Sequence, residues 1–348
     1  MYRFAYFVKK LLNKRIERLS NESLLSAENI FKRRYRHDHS QNGKIKVCTY
    51  QTGFARHFTR FFTSTDNRDY SFNIVDEPKN ADVVVFINTV DCEVVSPNQQ
   101  VILFFHEPKD YAHLYQTTID WSRVTPGQLR VVSHLPVETF ITNPSHAICY
   151  RSIPYVHFHH MAAYDDLGNL DSGKRTKLIC SITSGFNGIP GYQKRSEFIA
   201  RLAQTNDGFD LFGRFSKEAA QLAAYRGPCI FKWKTLADYK YNLVIENSDD
   251  EYYISEKIFD ALICGSMPIY HGSERIFELV PKEWFYFLPT LQNNEIGRLN
   301  EFLTTDSYRN VAENREQIAK MIYGSYSFYQ ALDNLLRSEP LPFTPSRN

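Results

Sequence analysis

Short, almost wholly apolar runs recur in two sets along this chain, and that constrains its fold more than any other feature. The first set contains "KIKVCTY" (44–50), "DVVVFIN" (82–88) and "VILFFHEP" (101–108), with "LRVVSHL" (129–135) and "AICYRSIPY" (147–155) after them. Runs that are apolar at successive positions suit strands covered on both faces, as in a parallel sheet. A helical pattern, "FARHFTRFF" (54–62), lies between the first two. Beyond a polar stretch between His157 and Arg175 the alternation starts again: "TKLICSITS", helical "YQKRSEFIARLAQ", "FDLFGRF", "YNLVIENS", helical "SEKIFDALICG" and "SMPIYHG". Two such sets predict an α/β protein with two Rossmann-like, doubly wound domains facing across a cleft. The expected division is a helix and linker over 1–42, one domain over 43–165, and a second over 166–348 with a helical tail.

Length agrees with two domains, since 348 residues exceed one comfortable small core. A net charge of +2 gives no ground for a nucleic-acid partner. The six cysteines have no C-x-x-C spacing, and Cys48, Cys180 and Cys264 fall inside apolar runs. They read as small hydrophobes in a reducing compartment, not as a disulfide frame or zinc site. No apolar run has the length of a membrane span.

The first nineteen residues place Phe4, Val8, Leu11, Leu12, Ile16 and Leu19 on one helical stripe, with Arg3, Lys9, Lys10, Lys14, Arg15 and Arg18 around it. A basic amphipathic helix of this kind either lies on an anionic membrane surface or docks on the body of the protein.

The chemistry concentrates in "YNLVIENSDDEYYISEKIFDALICGSMPIYHGS" (241–273). A strand here ends in Glu246, Asn247 and Ser248, and the carboxyl ends of strands face the ligand crevice in open α/β sheets. Ser255 is a good N-cap for the next helix. That helix start offers N–H groups and a positive dipole end to a diphosphate, and Lys257 adds a full charge. Glu256 beside it could accept hydrogen bonds from ribose hydroxyls. Alternatively, Glu256 and Lys257 are simply an exposed first turn, with the acid favoured there by the dipole.

The segment closely resembles the signature of the α1,3/α1,4-fucosyltransferase family. The matching positions are Glu246-Asn247-Ser248, Tyr253-Ile254-Ser255-Glu256-Lys257, Gly265-Ser266, Pro268 and Gly272. Upstream, "TKLICSITS", Arg195 and "DLFGRF" follow the family's order. The resemblance implies the GT-B architecture, an amino-terminal acceptor domain and a carboxyl-terminal donor domain. It also implies GDP-fucose as donor, a glycan acceptor and inversion at the anomeric carbon. On this reading Lys257, the Ser255 helix start and Arg195 or its neighbour Lys194 hold the diphosphate. Glu256 takes the ribose, and Tyr253 and Asn247 shape the base and sugar pocket.

The acceptor needs a general base from across the cleft. The family's suspected base is a glutamate in an E-S-P-like segment. Here the segment is His106-Glu107-Pro108 without the serine, which makes Glu107 the candidate; the alternative is a strand-end Glu that caps a neighbouring loop. The histidines of "HFHH" (157–160) have no carboxylate partner nearby in sequence and read as interdomain packing. Asp249-Asp250-Glu251 reads as a solvated turn, and no obligatory metal is expected. Golgi members of the family carry a membrane span and a disulfide-bonded body. With neither pattern here, the expectation is a cytoplasmic enzyme, resting through residues 1–19 on the inner membrane face, in surface-polysaccharide or lipopolysaccharide synthesis. Two rival readings are a same-fold transferase with another sugar nucleotide and a catalytically idle glycan- or nucleotide-binding relative.

Overall fold

The computed structural model describes residues 44–50, 70–75, 77–154, 175–184, 188–213, 222–229 and 232–343. The basic stripe over 1–19, the helical pattern over 54–62, the polar linker and the histidines at 157–160 lie outside these residues.

Twelve described strands form two six-stranded sheets in which every pairing is parallel. The first contains β1 (Ile45–Thr49), β2 (Phe72–Ile74), β3 (Val83–Ile87), β4 (Gln100–Phe105), β5 (Leu129–Ser133) and β6 (Ile148–Arg151), in the order β2-β1-β3-β4-β5-β6. Its central strands are apolar on both faces, so both must be covered. The described connections in this half are 3-10 turns, such as Cys92–Val94 and Lys109–Tyr115, where helices would ordinarily stand.

The second sheet contains β7 (Lys177–Ile182), β8 (Phe209–Phe212), β9 (Tyr225–Gly227), β10 (Tyr239–Ile245), β11 (Met267–His271) and β12 (Tyr286–Phe287), in the order β12-β11-β10-β7-β8-β9. Read from β9, this is the 3-2-1-4-5-6 order of dinucleotide-binding sheets, and its topological switch point falls between β7 and β10. Ligands of such sheets bind outside the carboxyl ends of those two strands.

The helices are α1 (Pro190–Thr205), α2 (Lys232–Ala237), α3 (Glu256–Ile263), α4 (Ile276–Leu279), α5 (Asn293–Phe302), α6 (Arg309–Ala312), α7 (Arg315–Ser325) and α8 (Phe328–Leu336). Helix α3 buries six consecutive residues, Ile258 to Ile263, beneath α7 and against β10 and β11. Gly265 ends it with φ at +73°, a conformation that favours glycine. Helix α8 leaves the second sheet and covers the first. Phe328, Tyr329, Leu332 and Leu335 share a core with Val85, Phe104 and Val132.

Candidate active site

Strand β10 stops at Ile245, so Glu246, Asn247 and Ser248 begin the loop at the switch point, all three buried. Glu246 is the hub. Its carboxylate accepts from the Ser255 backbone N–H at 2.8 Å, from Ser255 Oγ at 2.9 and 2.7 Å, and from Lys257 Nζ at 3.0 Å. Ser255 occupies the N-cap position of α3 but makes no side-chain cap hydrogen bond. Instead its hydroxyl is taken by Glu246 and Lys257, the latter at 2.6 Å. The expected cap is therefore a fixed link in a charge network: the Ser255 O–H donates to Glu246, and its oxygen accepts from the Lys257 ammonium instead of from the helix's first backbone N–H groups.

Burial pulls the Lys257 ammonium down, and Glu246 and then Glu256 more than offset it, so it titrates above the ordinary lysine value. It is a fixed cation at the start of α3, where an anion would be stabilised.

Helix α1 carries the second cation. Arg195 is buried, its guanidinium 4.6 Å from the Tyr192 ring centre and 3.2 Å from the Ser184 carbonyl oxygen at the end of β7. Burial lowers its proton affinity from the ordinary value, opposed by Tyr192, Glu246, Tyr253 and Glu256. Lys194, one helical step away, is exposed and lines the cleft. Asn247 Nδ2 donates to Tyr192 Oη at 2.9 Å. Its Oδ1, like Arg195 Nε, is buried with no partner among the described residues. Unmet groups of this kind are ones a bound ligand or water completes.

The first sheet answers from across the cleft. Glu107 follows β4, and its Oε1 accepts from Tyr115 Oη at 3.3 Å and from Asn88 Nδ2 at 3.5 Å. Burial raises the Glu107 carboxyl above its ordinary value. Tyr115 pulls it back, Glu256 pushes it up and Lys257 pulls it down. Asn88 is fully buried with φ at +65°, and its Oδ1 accepts from the His106 backbone N–H at 2.9 Å. Asparagine enters the left-handed region more readily than most residues, and here its side chain ties the end of β3 to the residue after β4.

Tyr253 fills the seam between the sheets, fully enclosed and edge-on to His134, 5.0 Å between ring centres. Burial pushes the His134 imidazole down to about 3, so it faces Tyr253 uncharged. Nearer the surface, Lys109 Nζ pairs with Asp249 Oδ1 at 2.7 Å and lies 3.5 Å from Asp250. The expected turn is thus solvated on one side and anchored to the first sheet's domain on the other.

An open cleft of about 300 Å³ runs between the halves. Of the residues singled out in the sequence, Lys194, Glu246, Asn247, Ser248, Asp249 and Gly272 line it, together with Lys109 and Gly191. Glu107, Arg195, Tyr253, Ser255, Glu256 and Lys257 are not in that lining. They form a deeper group next to it, with Glu246 as the shared wall. Four further members were not evident in the sequence: Asn88, Tyr115, Lys232 and Asp260. Among the described residues no group of three or more His, Cys, Asp or Glu could hold a metal ion, and no helix is long and apolar enough to cross a membrane.

Two all-parallel sheets with their carboxyl ends turned to one cleft define a GT-B glycosyltransferase fold. A T4 phage BGT variant, solved with UDP-glucose, superposes with a TM-score of 0.50 at 10% identity, covering 84% of this chain and 99% of that one. An α1,3-fucosyltransferase crystal structure gives 0.49 at 14% identity, over 84% and 93%. Residues 172–303 match the model of glycosyltransferase family 10 (fucosyltransferase), C-terminal part. The chain's second half thus carries the fucosyltransferase family domain, as the 241–273 signature implies. Among curated relatives, a fucosyltransferase-like protein of Arabidopsis thaliana is 29% identical over 102 residues, 29% of this chain and 18% of the relative. The α-(1,4)-fucosyltransferase of the same plant is 46% identical over 46 residues, 13% and 12% of the two chains. These matches span less than a fifth of either relative.

Proposed function

We propose that the protein is an inverting glycosyltransferase that moves L-fucose from GDP-fucose to a hydroxyl of a glycan acceptor, in an α1,3-type linkage. The observation that carries this reading is the arrangement at the switch point. Two cations, the half-buried Lys257 and the buried Arg195, stand about the Glu246 hub, and Glu107 faces them from the other sheet. In the proposed reaction Glu107 takes the acceptor proton. The acceptor oxygen then bonds to the anomeric carbon from the face opposite the diphosphate. The bond from that carbon to the phosphate oxygen breaks, and its electron pair leaves on GDP. Lys257, Arg195 and the start of α3 would stabilise that developing charge, with no metal required for the purpose. Lys194, at the cleft wall, would meet the donor on entry. Glu256 would accept from the ribose hydroxyls, while Asn247, Ser248 and Tyr253 shape the pocket.

A cytoplasmic setting fits the reading, with the 1–19 stripe resting on the inner membrane face and a surface-polysaccharide or lipopolysaccharide precursor as acceptor. The test is hydrolysis of GDP-fucose, GDP-mannose and UDP-sugars by the purified protein with a chelator present. GDP-fucose alone should turn over, and Lys257→Ala should abolish it. Turnover of another donor would overturn the choice of sugar, and loss of activity to the chelator would overturn the metal-free site.

A further inference from the structure

Beneath the site lies a charge cluster that none of these steps employs. Lys232 opens α2, and its ammonium crosses to α3, where it hydrogen-bonds Asp260 and stands 3.8 Å from Glu256 Oε1. The three side chains are only 11%, 8% and 12% exposed, in the order Lys232, Asp260, Glu256. Asp260 follows Glu256 by four residues, so both carboxylates leave the same face of α3 and the lysine stands between them. Burial works against the charged lysine, and Asp260 and then Glu256 outweigh it. Burial pushes the Asp260 carboxyl up, to about 6, against the pull of Lys232.

A cluster like this is a poor way merely to fasten α2 to α3, because apolar side chains of similar volume would do so at no loss of stability. One carboxylate would also suffice for fastening, and Asp260 already makes the close bond. The second contact is of another kind. At 3.8 Å, Lys232 balances the charge of Glu256 from beyond hydrogen-bond reach. Glu256 opens α3 between Ser255 and Lys257, both bonded to Glu246, so it stands at the site end of the helix, and Glu107 feels its charge from across the cleft. Two carboxylates that face each other raise one another's proton affinity, and an interior cation behind one of them relieves that.

We propose that Lys232, anchored by Asp260, is a positioning residue of the donor site that aims the Glu256 carboxylate at the ribose hydroxyls of a nucleoside diphosphate. The proposal rests on the nucleotide-sugar reading above and adds a residue outside the matched signature. Its consequence is selective: loss of the cluster weakens nucleotides that carry ribose hydroxyls and spares those that lack them.

The experiment is calorimetric binding of GDP and of 2′,3′-dideoxy-GDP to the full chain. The wild type should prefer GDP by roughly tenfold or more, the value of hydrogen bonds to a charged group. Lys232→Met alone leaves two carboxylates together in the interior and risks the fold. The double variant Lys232→Met with Asp260→Leu replaces the pair by apolar side chains. It should unfold near the wild-type temperature, bind dideoxy-GDP as before and bind GDP no more tightly than dideoxy-GDP, as Glu256→Gln should. An unchanged preference in the folded double variant would overturn the role of Lys232, as would equal weakening of both nucleotides, which a purely structural role predicts. A wild type that binds neither nucleotide would instead overturn the nucleotide reading, and the proposal with it.

Discussion

Gly191 sits where α1 comes closest to the site, and replacing it tests whether that approach matters. A Cβ at this position would stand 2.2 Å from the Asn247 carbonyl oxygen, 2.8 Å from its carbonyl carbon and 3.3 Å from its Cα. Carbon–oxygen contacts settle near ~3.3 Å. Helix α1 and the Glu246-Asn247-Ser248 loop must therefore separate by about 1 Å in Gly191→Ala. Every atom met is backbone, so no rotamer change relieves the contact. The overpacking should cost ~1–3 kcal/mol, against which alanine's better helix propensity returns up to ~1 kcal/mol. The net effect is a fall of a few degrees at most in the unfolding temperature, at roughly 1–2 °C per kcal/mol for a chain of 348 residues. Activity should suffer far more. Lys194 and Arg195 ride on α1 one turn later, and a displacement of about 1 Å at reacting groups costs on the order of 10²-fold. The assay is thermal unfolding and GDP-fucose turnover measured together. Gly297→Ala serves as the control, since a Cβ there meets nothing within 4 Å; it should keep turnover and leave stability the same or slightly higher. Wild-type turnover in Gly191→Ala would refute the claim that the approach of α1 sets the site.

The pH dependence should follow Glu107. Its carboxyl is raised by burial, and a base works only when ionised, so turnover should fall as pH drops through a point above the ordinary carboxylate range. Tyr115→Phe removes a donor that favours the ionised form, so the acid limb should move further up while the high-pH plateau holds; a limb that stays or moves down would contradict the arrangement. Because the folded state prefers the protonated carboxyl, Glu107→Gln should stabilise the protein at neutral pH while cutting turnover by ~10²–10⁴-fold. Lys257→Ala breaks an ion pair whose carboxylate is 0% exposed, which should cost ~3–5 kcal/mol in thermal or denaturant unfolding. Combining Lys257→Met with Glu246→Gln should recover most of that stability without activity; a single variant as stable as the wild type would show that the Ser255 donors alone satisfy Glu246.

Much of this fold can be read from the chain because parallel strands are buried on both faces and so announce themselves as unbroken apolar runs. "DVVVFIN", "VILFFHEP" and "YNLVIENS" give β3, β4 and β10 within three residues of their limits, the last two running past the strand end into the site loops. Strand order is another matter, since alternation alone does not say that β10 lies beside β7, and it is this adjacency that makes Glu246 a switch-point residue. The 3-10 connections of the first half also escape pattern reading, because short 3-10 runs carry little periodic signal. Within the site the signature identifies Glu246, Ser255 and Lys257, but composition at an N-cap suggests capping where the fold imposes an ion network. Lys194 and Arg195 are neighbours in sequence and differ by about 100° in helical phase. Only the packing of α1 shows the arginine inward and the lysine at the cleft. Lys232 lies in "FKWKTLADY", where one of two nearby lysines goes inside, and nothing local distinguishes them. Its partner Asp260 looks like a helix-surface acid until α7 covers α3.

The two halves are fastened unequally, and that inequality bears on how a donor reaches the deeper group. Helix α8 clasps the first sheet firmly. Phe328 lies 4.8 Å from Phe104 between ring centres, Asp333 accepts from Ser71 N and Oγ at 2.7 and 2.5 Å, and Arg130 donates to the Leu335 carbonyl at 2.9 Å. Burial of each large apolar side chain on that face contributes ~1.5–3 kcal/mol. Across the cleft mouth the contacts are slighter. The Lys109–Asp249 pair has side chains 46% and 79% exposed, and such pairs contribute ~0–1 kcal/mol. Single ring contacts join Tyr111 to Tyr192 and His134 to Tyr253. A strong clasp behind and weak closures in front are what a hinged pair of domains requires. Tyr253 stands fully enclosed at the seam against His134, and burial, then Glu246, Glu107 and Glu256, hold its phenol well above the ordinary value. If a donor seats against Lys257 and an acceptor against Glu107, as in the proposed reaction, the weak front contacts and not the α8 clasp are the ones that would part and close again, which would relate the placement of the last helix to the chemistry of the cleft.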